Sequence, residues 1–161
     1  MPKARDEDAV RRFVEHFAMT LSDLGFPRMP ARVLAMLTVT DEPGLTAGQL
    51  GERLGVSPAA VSGAVRYLIQ LQFVVREPVL GSRSDHYRLP PDPWFTAGMI
   101  RSGVYKRFAD IVHEGVVAVG DTSSPAGARL AEMEEFYVFI QEGMSELLER
   151  WEKLREERGD G

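Results

Sequence analysis

Residues 45–89 read LTAGQLGERLGVSPAAVSGAVRYLIQLQFVVREPVLGSRSDHYRL, with the caps and turns of two short helices and a hairpin in succession. Thr46 stands where an N-cap residue accepts from the first free amides of a helix, and Gln49, three residues on, completes the spacing of a capping box. Leu50 and Leu54, four apart, share one helical face, and Gly55 supplies the left-handed residue that ends the helix. Val56 plugs the corner. Ser57 caps a second helix and Pro58 takes its first position, where a missing N–H costs nothing. Two short helices joined by so tight a turn are the helix-turn-helix, the unit that lays its second helix in the DNA major groove.

That second helix has two distinct sides. At about 100° per residue, Val61, Ala64, Val65 and Leu68 gather on one side and face inward. The other side carries Ala59, Ala60, Ser62, Gly63, Arg66, Tyr67 and Gln70. Small residues at the N-terminal end let a backbone approach the groove, while Ser, Arg and Gln reach base edges or phosphates. An ordinary solvated helix face would look similar, but the cap, the turn and the hairpin that follows all favour DNA. Residues 73–79 are rich in β-branched side chains, residues 81–85 read GSRSD, and residues 86–89 return as a second strand. A hairpin with Arg83 and Ser84 at its tip and Arg76 and Arg88 on its strands suits phosphate or minor-groove contact. Asp85 is expected either to orient Arg83 or to cap the turn.

The order of these elements resembles the MarR family of dimeric winged-helix repressors. The phrase RYLIQLQFVVRE followed by GSRSDHYRL is most similar to its GbsR-like branch, and also to actinobacterial members that repress lipid or drug exporters. The resemblance runs from about residue 8 to residue 155. Typical family members carry Asp-x-Arg at the wing tip, whereas here Arg83 precedes Asp85. It implies a pseudo-palindromic double-stranded DNA operator, N- and C-terminal helices that form a homodimer, and an apolar or amphipathic effector that releases DNA.

Composition narrows the alternatives. A chain of 161 residues can bury a core as one domain or one compact two-part unit. With no cysteine there is neither a disulfide framework nor a thiol switch. No apolar run approaches the ~20 residues of a membrane span, and no signal peptide is evident, so the expected location is cytoplasmic, with no membrane partner. The net charge of −5 is unevenly divided. Residues 46–89 hold five arginines against three acids, a net of +2, whereas residues 121–161 hold five basic and eleven acidic residues, a net of −6. A basic face for DNA with an acidic part held away fits this asymmetry.

Outside the motif the chain is helical. Val10, Phe13, Val14, Phe17 and Leu21 form one stripe over residues 6–24, and Gly25-Phe26-Pro27 breaks that helix. Residues 30–39 give a short apolar helix. Arg28 and Arg32 near its start suit either a phosphate contact or ordinary solvated surface. Pro90, Pro91 and Pro93 make a stiff hinge. A long helix is expected over residues 95–119, and a last one, capped by Ser124 with Pro125 in its first turn, to about residue 157. Along that last helix Leu130, Met133, Tyr137, Ile140, Met144, Leu147, Trp151 and Leu154 recur three and four apart, widened by Phe136 and Leu148. About 30 residues would span ~45 Å, so the seam is read as a dimer interface with Val10, Phe13 and Phe17 of the first helix. The plainer alternative is a terminal helix folded onto its own domain. The fold class is thus mainly α with a small β-wing: a dimerisation helix over residues 1–28, a winged helix-turn-helix over 29–93, and dimerisation helices over 94–161.

Enzyme constellations are not expected. GQLGERLG lacks the Gly-Lys-Ser/Thr ending of a phosphate-binding loop, and its glycines read as close-packing positions. His16, His86 and His113 are far apart in sequence. Asp110, His113 and Glu114 share a helical face that would supply part of a metal site, but a polar surface stripe explains them as well. No metal or cofactor is therefore expected. Phe17, Phe26, Met36, Trp94, Phe95, Met99, Tyr105 and Phe108 lie near the joins between reading head and dimer helices. They are read as lining an effector pocket, with plain core as the alternative. The sequence thus predicts a homodimeric, DNA-binding transcription repressor. The alternative is an adaptor that keeps the fold and binds proteins instead of specific DNA.

Overall fold

The structure, a computed structural model, describes residues 5–79, 81 and 84–159, and the backbone alone of residues 95–102. Among these residues there are six helices and three strands: α1 Glu7–Asp23, α2 Arg28–Val39, β1 Leu45–Thr46, α3 Ala47–Leu54, α4 Pro58–Gln70, β2 Val75–Pro78, β3 Asp85–Arg88, α5 Pro93–Val119 and α6 Pro125–Arg158. The fold is the expected winged helix, mainly α with a small antiparallel sheet. The chain divides into two compact units, residues 1–93 and 94–161.

The first unit is built on the capping chemistry of its sequence. Asp6 accepts from Ala9 N at 3.0 Å and starts α1. Thr46 and Gln49 exchange both bonds of a capping box at 3.2 and 2.8 Å. Gly55 adopts φ 65° and ends α3, while Val56 N reaches back to Gly51 O at 2.9 Å. Ser57 caps α4 through Ala60 N at 3.3 Å. The core beneath is Val14, Val33, Leu34, Leu37, Leu45, Leu50, Leu54, Val61, Val65 and Leu68. Helix α2 is buried along most of its length and forms the floor on which α1, α3 and α4 rest. It begins at Arg28, two residues earlier than the sequence reading. Pro30 sits inside the first turn, where amides have no intrahelical acceptor and a proline is tolerated.

A third strand was not foreseen. Leu45 and Thr46 pair with Tyr87 and His86, so the sheet runs β1-β3-β2 and the wing is stitched to the start of α3. In the wing itself Val75, Arg76, Glu77 and Pro78 oppose Arg88, Tyr87, His86 and Asp85.

The second unit is a helical hairpin. Asp121 Oδ1 accepts from Ser123 N and Ser123 Oγ at 2.8 and 2.7 Å, which shapes the turn. These bonds, the hydroxyl's first, hold the Asp121 carboxyl below its ordinary range. Ser124 caps α6 through Gly127 N at 3.1 Å. Tyr137 stacks on Phe108 and Tyr105, with ring centroids 5.2 and 6.4 Å away, and Glu134 meets His113 at 2.8 Å. These pairings run antiparallel along α5 and α6. Both tryptophans, Trp94 and Trp151, belong to this unit and are about half exposed.

Candidate nucleic-acid interface

Helix α4 presents the two sides its sequence implies. Val61, Ala64, Val65 and Leu68 are buried in the core. Ser57, Ala59, Ala60, Ser62, Gly63, Arg66 and Gln70 are exposed together on the opposite side. Tyr67 differs from its neighbours. It is half-buried, and its ring lies edge-on to Phe26 at 5.5 Å and 81°, so its body braces the core. Ser62 Oγ donates to Pro58 O at 2.9 Å, and Arg66 Nε donates to Ser62 O at 3.3 Å, which lays the guanidinium along its own helix. No acid holds Arg66. Among the arginines described in the first unit only Arg12 and Arg66 lack a carboxylate partner.

The wing arginines are engaged. Arg76 donates through Nε to Asp85 Oδ2 at 2.7 Å, and its Nη2 lies 2.5 Å from the same oxygen. Asp85 is therefore the counter-ion of Arg76, where the sequence reading gave it to Arg83 or the turn. Diagonal placement across the β2–β3 register brings the two together. On the other face of the hairpin Arg88 donates to Glu77 Oε1 at 2.7 Å from Nε and again from Nη2. This bond from Arg88 is the main reason that the Glu77 carboxyl lies below its ordinary range and Arg88 above its own. Ser84 is exposed, and Arg83, expected at the wing tip, lies outside the described residues. A missed signal was present in the sequence: alternating charges at Arg76, Glu77, Asp85 and Arg88 pair once the register is fixed.

Arg32, open to two readings in the sequence, is structural. Its guanidinium reaches Glu15 at 2.7 Å and donates to Leu54 O at 3.0 Å, tying α1 to the end of α3, and its side chain is only 20% exposed. Arg28 stays on the surface, 3.6 Å from Glu15.

The residues expected around an effector divide between the two units, and each described one has its own neighbours there. Phe17 packs against the core and meets the Phe13 ring at 5.7 Å. Phe26 sits between Tyr67 and Phe73. Met36 is buried and floors a cleft of about 420 Å³, with Val10 beside it and Arg5, Arg11, Arg53, Asp41 and Glu42 at the rim. In the second unit Tyr105 and Phe108 stack on Tyr137, and Trp94 is exposed. The side chains of Phe95 and Met99 lie outside the described residues. Asp110 pairs with Lys106 at 2.9 Å and His113 with Glu134, so two of the three residues in the polar stripe on α5 have protein partners.

The seam of α6 divides in two. Tyr137 stacks on α5, and a Cβ built on Gly115 would touch the Leu130 methyls at 3.4 and 3.5 Å, so these two face their own chain. Ile140 and Met144 are half-buried, whereas Met133, Leu147, Trp151 and Leu154 are exposed. Phe136 and Phe139 join the exposed group, which occupies a sector of about 120° on the helix. On α1, Phe13 is exposed and Val10 half-buried.

Residues 24–83 match the MarR family model, and residues 92–156 match a model described as MmpR5-like MarR family transcriptional regulator. The HTH-type transcriptional regulator MmpR5 of Mycobacterium tuberculosis (strain ATCC 25618 / H37Rv) is 27% identical over 145 residues, covering 90% of this chain and 88% of the relative. A crystal structure of a transcriptional regulator superposes with a TM-score of 0.79 at 26% identity, covering 90% of this chain and 99% of that one. With one MarR model lying over the helix-turn-helix and a second over α5 and α6, the chain belongs to the MarR family of winged helix-turn-helix, DNA-binding transcription regulators.

Proposed function

We propose that this regulator is a cytoplasmic repressor that binds a pseudo-palindromic operator as a homodimer, with α4 in the major groove and the wing beside it. One observation carries the reading. The exposed side of α4 gathers Ser57, Ala59, Ala60, Ser62, Gly63, Arg66 and Gln70 without a single acid, while its other side is locked into the core. Small residues admit the backbone, and Arg66 and Gln70 supply the reach to base edges and phosphates. Arg83, Ser84, Arg76 and Arg88 are the wing contacts in this reading. The dimer rests on the exposed apolar sector of α6 and on Phe13 of α1, surfaces of a kind that soluble monomers seldom leave uncovered. An apolar or amphipathic effector would act by binding more tightly to a dimer whose two α4 helices no longer match successive grooves.

The test is fluorescence anisotropy with DNA from immediately upstream of the protein's own gene, run across a salt series. Saturation at one dimer per site and an affinity falling steeply with salt are expected. Arg66→Ala should weaken that binding by about 1 to 3 kcal/mol while the oligomeric state holds. Parent-like binding by the variant would remove Arg66 from the interface. The net charge of −5 and the two acid-paired wing arginines favour one competing reading, an adaptor that binds proteins. Binding to protein partners with no salt-dependent affinity for duplex would establish it.

A further inference from the structure

Both described wing arginines are paired, and they are paired in a patterned way. Arg76 opposes Tyr87 and meets Asp85, two residues back along β3. Glu77 opposes His86 and is met by Arg88, two residues forward. Each face of the hairpin therefore carries one diagonal ion pair, and neither face carries a net charge from these four residues. Arg66 on α4, by contrast, bonds only a backbone carbonyl of its own helix. A winged DNA-binding head would gain sequence-independent affinity from unpaired wing cations, because each phosphate neutralised releases condensed counter-ions. Here a carboxylate of the wing itself already holds each of these two guanidinium groups.

We propose that Glu77 and Asp85 are built-in counter-ions of the wing, which hold Arg88 and Arg76 neutralised and keep the affinity for arbitrary DNA low. The inference rests on the DNA-binding reading above and refines it: Arg76 and Arg88 meet the duplex as acid-paired groups, which help to position the wing and add little net charge. An arginine neutralised by its own carboxylate adds little to counter-ion release. Once the acid is made neutral, the same arginine counts as a full phosphate partner. Both arginines are bound through short, charge-assisted bonds, and the Asp85 side chain is only 24% exposed, so the acids are firmly placed to compete.

Glu77→Gln and Asp85→Asn, singly and together, test this with a random-sequence duplex and with the DNA upstream of the gene, by anisotropy across a salt series. Each substitution should tighten binding to both duplexes and steepen the slope of log K against log salt by about 0.9. Between about 50 and about 200 mM salt, each variant's affinity should therefore fall about 3.5-fold more than the parent's. Adding Arg88→Gln to Glu77→Gln, or Arg76→Gln to Asp85→Asn, should abolish the steepening. Circular dichroism melts confirm that each variant is folded, and the two independent pairs keep the test open if one variant fails to fold. Unchanged slopes in folded variants, or weaker binding with the parent's slope, would overturn the inference while leaving the regulator intact. No duplex binding by the parent at any salt concentration would overturn the regulator reading, and this inference with it.

Discussion

Gly51 shows how closely the helix-turn-helix is drawn together. A Cβ at this position would stand 2.8 Å from Val56 O, inside the contact distance of real side chains, and the obstacle is backbone that cannot rotate away. The same carbonyl-lined corner is closed by Val56 N donating to Gly51 O. Gly51→Ala should therefore pry the turn open, costing about 1 to 3 kcal/mol and displacing α4 relative to the wing. Thermal unfolding and anisotropy check it together. The glycine was legible in the sequence as a close-packing position, because its spacing in GQLGERLG suited no phosphate loop. Arg32 was not legible in the same way. Its role depends on Glu15 and the carbonyl of Leu54, partners 17 and 22 residues away that only the fold assembles.

At the scale of elements, local chemistry marked the boundaries well. Asp6, Thr46, Ser57 and Ser124 each cap the helix that follows, and each bond is a short-range event that a sequence displays openly. Thr46→Ala removes one half of the capping box and should destabilise the first unit by about 1 kcal/mol, seen as a lower melting midpoint with the α4 surface intact. A fall no larger than experimental error would show that β1 pairing alone fixes the start of α3. Strand β1 escaped the sequence reading because two residues carry no periodicity, and its existence depends wholly on Tyr87 and His86 across the sheet. The wing was legible as a hairpin, but not the pairing of its charges, since register decides which acid meets which arginine. Along α6 the three-and-four spacing identified apolar positions correctly and could not divide them. Tyr105 and Phe108 on α5 engage Tyr137, while Phe139 and Leu147 face outward.

The whole molecule combines an apolar face and an uneven charge. Phe139 is 71% and Leu147 is 59% exposed, on a helix that extends through 34 residues, about 51 Å at 1.5 Å per residue. In the dimer proposed above, a second copy covering that face supplies the second α4 helix that a two-half-site operator requires. Phe139→Glu with Leu147→Glu should shift the protein towards monomer in sedimentation velocity, with helicity retained and operator affinity lost. An unchanged sedimentation coefficient would place the dimer contact elsewhere. The acidic excess of residues 121–161 lies in this second unit, whereas the exposed side of α4 lies in the first.

Trp94 and Trp151 sit in the second unit, and residues 1–93 contain no tryptophan. Indole emission thus comes entirely from the half of the chain that does not carry the proposed reading helix. The molecule is its own optical reporter: with excitation at the red edge of the indole band, beyond the absorption of Tyr67 and Tyr87, a spectral change on adding duplex records what reaches the second unit.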